Sequence, residues 1–319
     1  MSSRILHPSA GVLLGMEQIA DLPAGIFDAR YVAFLETIAT LRPKLHRYCA
    51  RMTGSVLDGE DVIQDALFQA YRKLEQFDET RPLAPWLFRI AHNQCIDFLR
   101  RREVREGAEA EAIVDEAVEP VEAVGHGVDR AIEQLVLSLP PKERACVLLK
   151  DVFDYSLEEI AELVDSTIGG VKAALNRGRT KLASMERTGA IAKPSVVPTA
   201  ASPLLSLYVE RFNQRDWDGL LELISADARL RVADRYFGDV ASAPYYRNYA
   251  KRPAPWRASV GTVDGEAVIV VFQDRDGRWS PVSLVRIQEL DGRVAGIVDY
   301  NHCPWVLALA DSVVVAPPV

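Results

Sequence analysis

Cysteine is scarce in this sequence: 319 residues hold four, Cys49, Cys95, Cys146 and Cys303. No two stand close enough for a CxxC or a Cys/His cluster, which argues against a zinc site or a disulfide framework. Isolated thiols of this kind are small core residues of a reducing compartment. No apolar run approaches the roughly 18 residues of a membrane span. The start, with Arg4 and a short Gly11–Met16 run, is a poor secretory signal. The expectation is a cytoplasmic protein with no membrane contact, no metal and no cofactor. Positive charge is also short, with 37 basic residues against 45 acidic ones and a net charge of −8. Taken whole, that balance disfavours nucleic acid; taken by segment, it does not.

Nine acids lie between Glu103 and Asp129 against the single Arg105, so this segment alone carries −8. The acidity belongs to a linker, and the flanking segments are free to be basic. Before it the pattern is helical: Leu35, Ile38, Leu41 and Leu45 recur at helical spacing, as do Val62, Ala66, Leu67, Ala70 and Leu74. A third helix starts near Pro85 and ends in Arg100-Arg101-Arg102. After the linker, helical signals resume at Ala131. Pro140-Pro141 opens a helix to Lys150, and Ser156-Leu-Glu-Glu159 is a capping box opening the next. Asp165-Ser166 is a turn, and a basic helix spans Thr167–Met185. Residues 189–203, rich in Ala, Pro, Ser and Val, form a second linker. Beyond them come two helices, Leu204–Asn213 and Trp217–Ile224, and alternating runs of strand type at Arg229–Val232, Ala267–Phe272, Val282–Gln288 and Arg293–Val298. Asp264-Gly265, Asp276-Gly277 and Asp291-Gly292 punctuate those runs as hairpin turns.

Two constellations carry chemistry. Helix, tight turn, basic helix is a helix-turn-helix signature. In the second helix Ile168, Val171 and Leu175 define a buried seam, leaving Lys172, Asn176 and Arg179 outward. Asn suits adenine, Arg suits guanine, and Lys suits guanine or phosphate. Gly169 and Gly170 fit a close helix–helix approach. The second constellation is N-terminal. Asp58-Gly-Glu-Asp-Val-Ile-Gln-Asp65 sets Asp61 and Asp65 one turn apart, beside Gln64 and Phe68. An acidic helix start is also ordinary dipole-favourable capping. Further on, an aromatic cluster with Arg89, His92 and Asn93 leads to the basic terminus Arg100–Arg102. Cations and aromatic platforms together suit melted or single-stranded DNA, with Trp86 and Phe98 expected in packing.

On these motifs, residues 58–102 resemble region 2 of the extracytoplasmic-function (group 4) sigma factors, with the acidic helix followed by Trp86-Leu-Phe-Arg-Ile-Ala-His-Asn. Residues 132–182 resemble their region 4 through Leu139-Pro-Pro-Lys-Glu-Arg-Ala, Tyr155-Ser-Leu-Glu-Glu-Ile-Ala-Glu-Leu and Ile168-Gly-Gly-Val-Lys-Ala-Ala-Leu-Asn-Arg-Gly-Arg. The resemblance implies an alternative sigma factor that binds core RNA polymerase, at the clamp helices of the largest subunit and the flap of the second. It assigns Asp58, Glu60, Asp61, Gln64, Asp65 and Phe68 to polymerase binding. Arg89, His92, Asn93, Arg100, Arg101 and Arg102 fall to the melted −10 element. Thr167, Lys172, Ala173, Asn176, Arg177, Arg179 and Lys181 fall to the double-stranded −35 element. No residue is implied to be catalytic.

The segment from Tyr208 to Ile224, with Ala228–Val232, resembles the opening of an NTF2-like (SnoaL-like) cone. Some sigma factors of the extracytoplasmic-function class carry such a domain fused behind region 4, where it is regulatory, and the resemblance implies an intramolecular contact with the sigma regions. Asp299, His302, Asp234, Tyr236 and Trp256 are conceivable liners of a cone pocket. The expected architecture is therefore multi-domain. It has an extension (1–28), an all-α region 2 bundle (29–102), an acidic linker (103–129) and an all-α region 4 helix-turn-helix (130–187). A linker (188–203) and an α+β NTF2-like domain (204–319) complete it. Two rivals remain from the residues alone. One is a stand-alone helix-turn-helix regulator with a sensor domain; the other is an NTF2-like enzyme carrying a DNA-binding module.

Overall fold

Short loops between strongly apolar helices force antiparallel neighbours, and the N-terminal half is built this way. The computed structural model describes residues 29–109 except 79, 136–187, and 201–315 except 234 and 311. They form two bodies, a helical one and a sheet one. The expected extension 1–28, most of the acidic linker, the helical start at Ala131 and residues 188–200 lie outside the described residues.

Three helices make the first part of the helical body: α1 (Ala29–Thr53), α2 (Val56–Arg72) and α3 (Leu83–Glu109). Ser55 caps α2, its side chain accepting from the Leu57 and Asp58 amides at 3.2 and 3.3 Å. Phe34, Ile38, Leu45, Tyr48 and Met52 of α1 pack with Leu57, Ile63 and Leu67 of α2 and with Leu87, Phe88 and Cys95 of α3. The basic end of α3 does not stop at Arg102. It runs on to Glu109, because Glu103, Arg105, Glu106 and Ala108 are all strong helix formers.

The second part is a helix-turn-helix: α4 (Pro141–Val147), a π-helical turn at Leu148–Val152, α5 (Leu157–Leu163) and α6 (Ile168–Arg187). Pro140 stands at the N-cap of α4 with Pro141 in its first turn, where a missing N–H costs nothing. The capping box of α5 is complete, with Glu159 N to Ser156 Oγ at 3.2 Å and Ser156 N to Glu159 Oε2 at 2.7 Å. Asp165, at φ 48°, makes the turn into α6. Gly178 lets α6 cross α4 closely: a Cβ there would lie 2.9 Å from Val147 Cγ2.

The two parts share one interface. Arg144 of α4 is buried and donates to the carbonyls of Met52, Leu137 and Leu139. Tyr48 meets Phe153 at 5.9 Å between ring centroids, Phe88 meets Tyr155 at 5.5 Å, and the Lys44 ammonium lies 4.6 Å from the Tyr155 ring. Burial pushes the Tyr155 hydroxyl up to about 12.

The sheet body opens with α7 (Pro203–Gln214) and α8 (Trp217–Leu223). Seven strands follow: β1 (Ile224–Val232), β2 (Tyr236–Asp239), β3 (Trp256–Val263), β4 (Glu266–Arg275), β5 (Arg278–Leu290), β6 (Arg293–Asp299) and β7 (Val313–Val315). α9 (Tyr245–Ala250) lies between β2 and β3, and α10 (Pro304–Leu309) precedes β7. The sheet order is β2-β1-β6-β5-β4-β3-β7, with β1 and β6 parallel and every other pair antiparallel. All three Asp-Gly turns have both residues at positive φ, the geometry that matches strand twist. Phe212 sits at the centre of the core, 4.9 Å from Tyr249 and 4.8 Å from Trp256 between ring centroids.

Candidate nucleic-acid interface

On α2 the acidic motif splits between surface and interior. Asp58 is half-buried and 4.0 Å from Arg102. Glu60 is fully buried, paired with Arg42, 3.8 Å from His46 Nε2, and accepts from Gln64 at 3.3 Å. The expectation of Glu60 at a polymerase contact is therefore corrected: its carboxylate joins α2 to α1 and cannot reach a partner. Asp61, Asp65 and Phe68 form the outward row, with Phe68 40 % exposed. Arg72 extends this row, its guanidinium 5.7 Å from the Phe68 ring centroid. Sequence reasoning missed Arg72, although its i, i+4 spacing from Phe68 was there to be read.

On α3, Arg89, Asn93, Arg100 and Arg101 are exposed, while Arg102 is half-buried and reaches the Thr53 carbonyl at 3.4 Å. His92 is a second correction. It is buried against Tyr48, with the hydroxyl 2.8 Å from its Nδ1. Burial pushes its pKa down to about 4, so the ring is neutral, and its hydrogen bond to Tyr48 inside the bundle closes it to DNA. Trp86 packs on Phe77 at 4.8 Å between ring centroids.

On α6, Thr167 caps the helix, its Oγ1 accepting from the Gly170 amide at 3.0 Å. Lys172, Ala173 and Asn176 are exposed. Three further expected contacts are held by neighbouring groups of the same body: Arg177 by Glu143 at 2.7 Å, Arg179 in a fork on Asp151, and Lys181 by the Ser138 carbonyl at 2.8 Å. The Asp151 hydrogen bond holds the Arg179 guanidinium above its ordinary range. Arg177 and Arg179 are each more than half exposed, and surface ion pairs contribute only about 0–1 kcal/mol, so a phosphate can displace either acid. Gly170 does not mark a helix crossing, since a Cβ there would strike Ser166 Oγ at 2.7 Å, within the turn itself.

Three of the expected liners in the sheet body, Asp299, Trp256 and Tyr236, are held by neighbouring groups of the fold. Asp299 is buried and accepts from Tyr245 at 3.0 Å, Tyr249 at 2.7 Å, the Asn301 amide at 2.8 Å and Ser283 at 3.4 Å. Burial raises its pKa, and both tyrosine hydroxyls donate to the one oxygen, Oδ2. His302 is exposed with its pKa lowered, chiefly by desolvation, and Trp256 Nε1 donates to the Tyr249 carbonyl at 3.0 Å. Tyr236 donates to the Asp239 carbonyl at 3.3 Å, and Asp234 lies outside the described residues. Asp299 ties α9 to the end of β6. Among the described residues no helix is long and apolar enough to cross a membrane.

Comparison with known proteins bears on these surfaces. Residues 37–105 match the model of Sigma-70 region 2, and residues 129–182 match that of Sigma-70 region 4. The ECF RNA polymerase sigma factor SigW of Bacillus subtilis is 34 % identical over 162 residues, covering 47 % of this chain and 87 % of SigW. SigG of Mycobacterium tuberculosis is 29 % identical over 227 residues, which is 63 % of this chain and 61 % of SigG. Among solved structures, the extracytoplasmic function sigma factor SigJ of Mycobacterium tuberculosis aligns with 83 % of this chain and 95 % of its own. The TM-score of that alignment is 0.34, at 18 % identity. With both sigma regions present in order, and SigW matched over most of its length, this chain belongs to the ECF RNA polymerase sigma factors.

Proposed function

We infer that the chain is an alternative sigma factor that binds core RNA polymerase and directs promoter recognition and transcription initiation. It is not itself an enzyme, because phosphoryl transfer belongs to the polymerase. The observation that carries this reading is the pair of sigma regions, in order, on one helical body. Three solvent-facing rows of that body divide the work. Asp61, Asp65, Phe68 and Arg72 of α2 dock on the polymerase clamp. Arg89, Asn93, Arg100 and Arg101 of α3 follow the melted −10 strand, where cations meet phosphate and Asn meets a base edge. Lys172, Ala173 and Asn176 of α6 read the −35 duplex, while Arg177, Arg179 and Lys181 exchange their protein partners for phosphates.

The sheet body is read as an NTF2-like domain with a regulatory role. Its helices α7, α8 and α9 pack an aromatic core against a mostly antiparallel sheet, and its buried Asp299 is engaged in holding the fold. It acts in cis, since sharing one chain with the sigma regions raises its effective concentration at them. Run-off transcription with purified core polymerase tests both statements. The full chain should initiate from specific sites, and a chain ending near Pro203 should initiate more strongly. Absence of site-specific initiation by either would refute the sigma reading; equal output from both would remove the regulatory role alone.

A further inference from the structure

Two residues at the start of α6 lack a packing explanation. Ile168 was expected in the buried seam with Val171 and Leu175, but it is 39 % exposed where they are 0 % and 5 %. Beside it, Gly169 is exposed, and a side chain there would meet nothing nearer than Thr167 Oγ1 at 3.9 Å. Glycine is a poorer helix former than alanine. At Gly178 the crossing with α4 accounts for the glycine; at Gly169 no described neighbour does. A branched apolar side chain next to bare backbone is thus presented outward, one turn before Lys172 and two before Asn176.

This inference rests on α6 as the reader of the −35 duplex. The first turn of a recognition helix is the part that contacts base edges. The major groove offers donors, acceptors and one apolar group, the C5-methyl of thymine. That methyl is the major-groove group suited to apolar contact, and an isoleucine side chain has no donor or acceptor for the other base-edge groups. We propose that Ile168 is a specificity-determining residue that packs against a thymine methyl of the −35 element. The bare backbone of Gly169 lets the duplex approach α6 closely enough for that contact.

The test uses holoenzyme reconstituted from core polymerase and the full chain, with its preferred upstream duplex selected from a randomised pool. Each thymine of the selected duplex is replaced in turn by deoxyuridine, which removes the methyl and leaves the hydrogen-bonding edge. One replacement should weaken wild-type binding about fourfold, the value of one buried methyl-sized group. Ile168→Ala should bind both duplexes equally, and Ile168→Val should keep the preference. Gly169→Ala should raise the melting temperature yet bind the duplex less well, a combination that a structural role would not produce. Wild type without a deoxyuridine-sensitive thymine would overturn the proposal, as would unchanged sensitivity in Ile168→Ala. If Lys172→Ala and Asn176→Ala still lose affinity in that case, α6 remains the reader and only Ile168 loses its role. Gly169→Ala binding as wild type would remove the close-approach part. Indifference of every α6 variant would overturn both readings.

Discussion

The helical body and the sheet body use carboxylates in opposite ways. In the first, Asp61 is half-buried and Asp65 exposed on the outer side of α2. In the second, Asp299 is withdrawn from solvent and surrounded by four donors. Glu60 shows that the contrast is one of environment and not of sequence region: two turns of α2 hold a buried acid and an outward acid side by side. An acidic motif is therefore not evidence of a docking surface until burial has sorted its members. The same sorting demotes Asp299 from a pocket residue to a clasp between α9 and β6.

Substitution at the clasp should give the largest change in stability. Asp299→Ala leaves two tyrosine hydroxyls without their acceptor, so the sheet body should lose about 3–5 kcal/mol in denaturant unfolding. A loss below about 1 kcal/mol would mean the clasp holds nothing together.

Acid sharpens the contrast between the bodies. A free histidine titrates near 6.5, and His92 is held to about 4 in the fold. The unfolded chain thus binds the extra proton first, and stability of the helical body falls as pH drops from about 6.5 to 4, by about 3 kcal/mol in total. Asp299 works the other way, because its raised pKa makes its contribution full at acid pH and lost as pH rises through the folded value. Unfolding followed separately in the two bodies across this range should show the helical one weakening, and His92→Gln should flatten its slope.

Smaller effects separate base readers from phosphate holders on α6. Lys172→Ala and Asn176→Ala should each cost about 1–3 kcal/mol of promoter binding and relax sequence preference. Arg177→Ala should cost less and spread its loss evenly over promoters, since its guanidinium must first leave Glu143. A reversed ranking in competition binding would show that Arg177 abandons Glu143 to read a base.

Much of the fold was legible in the sequence. The capping box at Ser156, the Pro140-Pro141 start and the three Asp-Gly turns are local chemistry, and local chemistry survives in a one-dimensional reading. What failed depended on contacts made across the chain. Glu60 and His92 have the residue types of a site, but Arg42 and Tyr48 of α1 claim them, and nothing in the spacing announces those partners. Ile168 fits the helical period of a buried seam, yet it stands at the first turn, ahead of the cover that shelters Val171. β3 went unread because Gly261, Ser259 and the flanking prolines look like loop; in the sheet, Gly261 is small so that Val315 of β7 can sit over it, 2.8 Å from where a Cβ would be.

The central claim, that the outward acids of α2 form the polymerase-docking surface, is tested by one pair of measurements on one variant. Asp61→Arg combined with Asp65→Arg is compared with wild type for equilibrium binding to core RNA polymerase and for thermal unfolding. The account predicts that core binding is lost while the variant still unfolds in a cooperative transition. Wild-type affinity in a folded double variant would contradict it and return this helix face to the role of a solvated surface.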